Sequence, residues 1–362
     1  MFAVVYIPRV FFAFFLHYKN TYVAMDSNDI LERTVGIALG TAIGDAKGIA
    51  YETLTREQII QRQNDEEKTL YVRVTNHPYI PEDWQVGRWT DDTQLTLAMM
   101  RALTKPFDQS NDDLMTNIVN EHIIEWKEST AGWGGTKNAI ERLSNGTHTY
   151  LNSGNQAKGN GVLMKLAPLA FYYSLFGNVN DDEIEKICRM THDTPIALAT
   201  ACIYVRMCIY LFEKKNPSSK EFLEYLYELS LQYETKYQLM EENELVSTRI
   251  KRYLDVNSYS DIDEKLIIDV SHGGTFFCVD SLLMIIGLIA CLPTCEPDFN
   301  TVIRATEIGG DTDSNAAIIG AILGGMKGVS SLEREHIAQV YRTDYVRQIG
   351  EEFGRALCKI LN

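Results

Sequence analysis

Apolar residues recur along most of this chain at helical spacing, and strand-like alternation is scarce, so the pattern predicts a mainly helical protein. Leu114, Ile118, His122 and Trp126 share one face of a helix over residues 111–127, where His122 is expected as a half-buried surface histidine. Residues 196–212 and 276–292 are apolar enough to be core helices. Residues 55–70 are polar and predict a solvated helix and turn. Residues 71–87, with His77-Pro78 and Ile80-Pro81, read as an extended loop. The more polar, tyrosine-rich stretch 213–270 is expected to form peripheral helices.

The predicted helix over residues 30–50 carries Gly36, Gly40, Gly44 and Gly48, one every four residues along a single face. Each glycine costs a helix about 1 kcal/mol relative to alanine. Four in register therefore need a packing reason, namely close approach of another backbone. Ala316, Gly320 and Gly324 form a matching small stripe late in the chain. The expectation is that these two helices touch, which brings Asp45 and Glu52 towards Asp311. The alternative is that the glycines mark loops and the helix breaks near Gly44.

Two stretches share one grammar. Thr90-Asp91-Asp92-Thr93 opens the apolar run 94–103, and Asp311-Thr312-Asp313-Ser314-Asn315 opens the run 316–325. Either motif alone reads as a capped, solvated helix start, because Asp, Ser and Thr oxygens accept from unpaired helix N–H groups. One capping oxygen per helix would suffice, and here there are several. An EF-hand loop starting at Asp311 is excluded, since its sixth and twelfth positions hold Ala316 and Ile322 in place of Gly and Glu. If the two starts converge, four carboxylates share a small volume and need cations. Oxygen ligands without nearby His or Cys favour Mg²⁺ or Mn²⁺, which predicts a two-metal site with ions about 3.5–4 Å apart.

Weaker signals surround these. Residues 158–161 (Lys158, Gly159, Asn160, Gly161) precede an apolar run and read either as an anion cradle at a helix start or as a turn. Thr191-His192-Asp193-Thr194-Pro195 opens a helix, with His192 either a satisfied structural histidine or a contact for a nucleotide. The glycine-rich turn around Trp133 is either close to a ligand or a plain connection.

The chain has 362 residues and 45% hydrophobic content, enough for a sizeable core. Its formal charge of −15 and lack of a basic cluster argue against a nucleic-acid partner. Seven cysteines with no C-x-x-C pair predict reduced, mostly buried thiols in a cytoplasmic protein. Residues 1–24 are apolar but interrupted by Pro8 and Arg9, and are read as an extension outside the fold. A single domain is expected over residues 25–362.

Taken together and in order, five segments resemble the ADP-ribosylglycohydrolases: residues 36–52 (GIALGTAIGDAKGIAYE), 87–93 (GRWTDDT), 159–168 (GNGVLMKLAP), 191–195 (THDTP) and 309–325 (GGDTDSNAAIIGAILGG). The resemblance implies an all-α, single-domain fold with a binuclear Mg²⁺ or Mn²⁺ centre. Matched position by position, it implies Thr90, Asp91, Asp92, Asp311, Asp313 and Ser314 as metal ligands. It also implies Glu52 as a glutamate lying over the metals, and Gly159, Asn160, Gly161 and His192 as residues of the ADP-ribose cleft. After Thr191-His192 this chain has Asp193-Thr194, where the family often has a second His or a Ser.

The expected function is metal-dependent hydrolysis of the glycosidic bond between ADP-ribose and a modified protein side chain or small conjugate. Glu52 and Asp311 are the candidate catalytic carboxylates. The expected partner is an ADP-ribosylated protein or conjugate, met by a monomer with no stable membrane association. The alternatives are a catalytically inactive ADP-ribose-binding relative and a metal-dependent phosphohydrolase.

Overall fold

The structure, a computed structural model, describes residues 25–65, 70–106, 112–128, 132–241 and 245–361. Residues 1–24, expected as an extension, lie outside them, as do Thr130 and Ala131 of the glycine-rich turn. The helices run in order as α1 (Ser27–Gly48), α2 (Arg56–Asp65), α3 (Asp91–Thr104), α4 (Asp113–Glu128), α5 (Thr136–Ser144), α6 (Ala167–Phe176), α7 (Asp181–Arg189) and α8 (Pro195–Glu213). They continue as α9 (Ser219–Lys236), α10 (Val246–Leu254), α11 (Glu264–Ser271), α12 (Cys278–Ala290), α13 (Phe299–Glu307), α14 (Thr312–Lys327), α15 (Arg334–Gln339) and α16 (Thr343–Leu361). Among the described residues there is no strand, only isolated bridges joining Asn155 to His192 and Gly159 to Phe277. The fold is all-α and single-domain, as expected.

The glycine stripe does the organising. Helix α1 is unbroken from Ser27 to Gly48, capped by the Asp26 carboxylate. It runs antiparallel to α14 at backbone contact distance. A Cβ on Gly36 would lie 2.6 Å from the Gly324 carbonyl oxygen, and one on Gly44 would lie 2.1 Å from that of Ala316. On its other side α16 presses Gly350 against Val35, where a Cβ would come within 2.8 Å of the Val35 Cα. Small residues replace side-chain layers with backbone contact, so the three helices form a dense centre.

Around this centre the apolar helices α8 and α12 are buried almost throughout, which explains their lack of a polar face. Thr194 caps α8 by accepting from the Ala197 amide, with Pro195 in the first turn. The stretch 213–270 contributes buried Phe222, Tyr233, Ile250 and Tyr253 to the common core. None of the seven cysteines forms a disulfide. His122 differs from expectation. It is fully buried on the inner face of α4, with its Nδ1 2.8 Å from the Ile118 carbonyl, and burial holds its pKa well below the usual histidine value.

Candidate metal centre

The antiparallel pairing sets the C-terminal end of α1 beside the first turn of α14. Gly48 meets Thr312, whose hydroxyl donates to the Gly48 carbonyl at 2.8 Å. Helix α3 is attached to the same place by Asp45. Its carboxylate accepts from the Thr90 amide (2.9 Å), the Thr90 hydroxyl (3.0 Å), the Thr93 amide (3.1 Å) and the Thr93 hydroxyl (2.7 Å). Asp45 on α1 thus caps α3 from outside. Neither Thr90 nor Asp311 makes a side-chain capping bond at the start of its own helix. Asp313 Oδ1 accepts the Ser314 amide at 2.9 Å, while the Asp92, Asp311 and Ser314 oxygens are not spent on caps.

They converge. One oxygen from each of Asp45, Asp92 and Asp313 lies within 4.8 Å of the others, and the same holds for Glu52, Asp311 and Asp313. The Ser314 hydroxyl donates to Asp92 Oδ2 at 3.3 Å, joining the two helix starts directly. Two helix N-termini point their partial positive charge at this cluster, which relieves only part of the repulsion. Asp91 belongs to neither group of three. Its carboxylate accepts the backbone N–H of Trp133 from the glycine-rich turn. Trp133 is buried at φ +73°, and its indole N–H donates to Gln94 Oε1. A Cβ on Gly132 would collide with Asp91 Oδ1 at 2.2 Å, so glycine is required there.

Burial is the leading cause that raises every shifted carboxyl in the cluster. Asp45 is pushed up to about 6 and Asp91 to about 7. Asp92 and Asp313 rise well above the usual aspartate range. The charged neighbours of Asp92 are Asp45, Asp91 and Asp311, and those of Asp313 are Glu52, Asp311 and Asp92. Carboxylates buried among carboxylates must be protonated or hold cations. Asp92 Oδ1 is buried without a hydrogen-bond partner. The donor set is carboxylate and hydroxyl oxygen alone, which fits a hard divalent cation and not zinc.

The cleft residues take more specific places. Asn160 enters by its side chain, donating to Asp311 Oδ2 and to Ser281 Oγ, each at 2.8 Å. Residues 160–162 form a short 3₁₀ turn, not the start of an α-helix. The Asn160 amide is spent on the Phe276 carbonyl, so it is no cradle donor. His192 is buried, and burial lowers its pKa to about 3, so the ring is neutral. Its Nδ1 lies 2.9 Å from the Thr191 hydroxyl, which also accepts from the buried Lys165. Its Nε2 side faces Gly135, Gly159 and Gly161.

Sequence reasoning brought Asp45 towards the site and left the Trp133 turn open between a ligand contact and a plain connection, but gave neither a role, and it left Gly274 out. Gly274 supplies the carbonyl that accepts from the Asp311 amide and the Asn315 side chain. The signal available for Asp45 was a single acidic residue inside the glycine stripe.

Comparison with known proteins shows the family and the fold. The family model described as ADP-ribosylglycohydrolase matches residues 26–359. The chain is 22% identical over 337 residues to the ADP-ribosylarginine hydrolase Tri1 of Serratia proteamaculans, covering 90% of this chain and 80% of that one. It is 28% identical over 191 residues to the ADP-ribosyl-[dinitrogen reductase] glycohydrolase of Rhodospirillum rubrum, covering 52% and 60%. It is 23% identical over 338 residues to the bovine (Bos taurus) ADP-ribosylhydrolase ARH3, covering 83% and 87%. A solved structure described as an ADP-ribosylglycohydrolase-related protein complex superimposes with a TM-score of 0.62 at 21% identity, covering 91% of this chain and 99% of that one.

Proposed function

This chain belongs to the ADP-ribosylglycohydrolase family, and from that premise we propose that it hydrolyses the glycosidic bond between ADP-ribose and a modified protein side chain, using two Mg²⁺ or Mn²⁺ ions. One observation carries the reading: five buried acidic residues from the end of α1, the turn after it and the starts of α3 and α14 meet in one cluster.

The proposed ligands are Asp92, Asp311 and Asp313 with the hydroxyls of Thr90 and Ser314. Asp91 joins through its carboxylate, which also accepts the Trp133 amide. When bound, the cations supply Lewis acidity and a water of lowered pKa. Cleavage of such a bond passes through an oxocarbenium-like state, so a carboxylate must take a proton from water or give one to the leaving group. Glu52 is the carboxylate proposed for this role. Burial raises its pKa, the His77 contact opposes that, and nearby Asp311 raises it further. Asn160 holds Asp311 in place. The neutral His192 and the glycines facing it are the proposed contacts for ADP-ribose.

The test is a panel of peptides ADP-ribosylated at arginine or at serine, incubated with Mg²⁺ or Mn²⁺ and read by mass spectrometry. Free ADP-ribose and unmodified peptide are expected with metal and not with chelator. No release from any peptide, or release of phosphate, would end the proposal.

A further inference from the structure

His77 lies 25 residues after Glu52 in the chain, on a loop without regular structure, and it belongs to none of the motifs above. Its ring is nevertheless 3% exposed, with Nε2 2.6 Å from Glu52 Oε2. The backbone amides of Tyr79 and Ile80 both donate to Nδ1, each at 3.1 Å. A nitrogen accepting two N–H groups carries no proton, so the ring proton sits on Nε2, the atom 2.6 Å from Glu52 Oε2.

The surroundings support the same link. Val74, Ile80 and Trp84 of the loop form a small apolar core of their own with Ile49 and Ala50, just before Glu52. The turn carrying Glu52 is strained, because the β-branched Thr53 has φ +70°. Its amide is held by the Gly310 carbonyl at 3.0 Å, on the segment leading to Asp311. A strained turn beside buried like charges keeps one geometry only where its surroundings fix it.

We infer that His77 is a positioning residue: its Nε2–H fixes the Glu52 carboxylate over the acidic cluster and ties the loop 71–90 to the site. The inference rests on the proposed role of Glu52. It concerns orientation and leaves the identity of the leaving group open.

The test compares His77→Ala, His77→Gln, Glu52→Ala and the His77→Ala/Glu52→Ala double variant with the wild type. Backbone hydrogen exchange in metal-free protein needs no turnover. His77→Ala and Glu52→Ala should each speed exchange in both segments 49–54 and 74–80, and the double variant should add nothing. His77→Gln restores an N–H donor at the right reach, so segment 49–54 should return towards wild type. Turnover in His77→Ala should fall about 10–100-fold in kcat with KM within about twofold, and Gln should recover part of it. Faster exchange in 74–80 alone, or losses in turnover that add in the double variant, would overturn the inference. A wild type that releases no ADP-ribose would defeat the proposed function, while the exchange data would still decide the His77–Glu52 link.

Discussion

Gly40 and Gly320 meet backbone to backbone: a Cβ on Gly40 would lie 2.1 Å from the Gly320 carbonyl oxygen, and one on Gly320 would lie 2.0 Å from that of Gly40. The neighbouring atoms are main chain on two helices and cannot rotate away. Gly40→Ala or Gly320→Ala should therefore cost at least about 1–3 kcal/mol, as overpacking does. Because α1 and α14 carry the acidic cluster at the same end, Mn²⁺ affinity should fall as well. Calorimetric melting and Mn²⁺ titration check both, and an unchanged melting temperature would contradict the packing account.

Asp92 and Asp313 oppose folding when no cation is present. Asp92→Asn or Asp313→Asn should raise the melting temperature of metal-free protein by removing a buried charge. The same variants should lose the thermal stabilisation that Mg²⁺ or Mn²⁺ gives the wild type, along with turnover. Differential scanning with chelator and with excess metal separates the effects. A variant that is less stable without metal and still stabilised by it would count against the site.

The pH response of metal-free protein follows from the raised carboxyls. Asp45 at about 6 and Asp91 at about 7 keep their protons to higher pH folded than unfolded. Their contribution to stability is complete below pH about 4, the unfolded aspartate value, and is lost as pH rises through 6 and 7. The melting temperature without metal should therefore fall across that window. Metal binding requires ionised ligands, so saturating Mn²⁺ should flatten or reverse the slope. A metal-free melting temperature that climbs steadily from pH 5 to 8 would refute this.

Asp45 is a cap before it is anything else. Asp45→Ala leaves the buried amides of Thr90 and Thr93 without their acceptor, at a cost of about 1–3 kcal/mol. Asp45→Asn keeps an acceptor oxygen and should lose less. Urea unfolding of the two variants gives the comparison, and equal losses would show that the capping bonds matter little.

Much of the scaffold was legible in the sequence because it is periodic. Glycines at intervals of four along α1, with small residues at the same interval along α14, predicted a backbone contact. The two Asp-rich helix starts likewise announced more oxygen than capping consumes. These are local signals, carried by the 3.6-residue repeat and by helix-terminus chemistry. Tertiary structure alone decided what no repeat encodes. It showed that Asp45 caps a neighbouring helix, that Trp133 on its left-handed turn gives its amide to Asp91, and that His77 reaches Glu52. It also turned His122 inward and spent the Asn160 amide on Phe276. Each of these joins groups from separate elements or tests how much of a helix face is covered. Their distances depend on how rigid helices settle against one another, so composition and spacing could name the residues but not pair them.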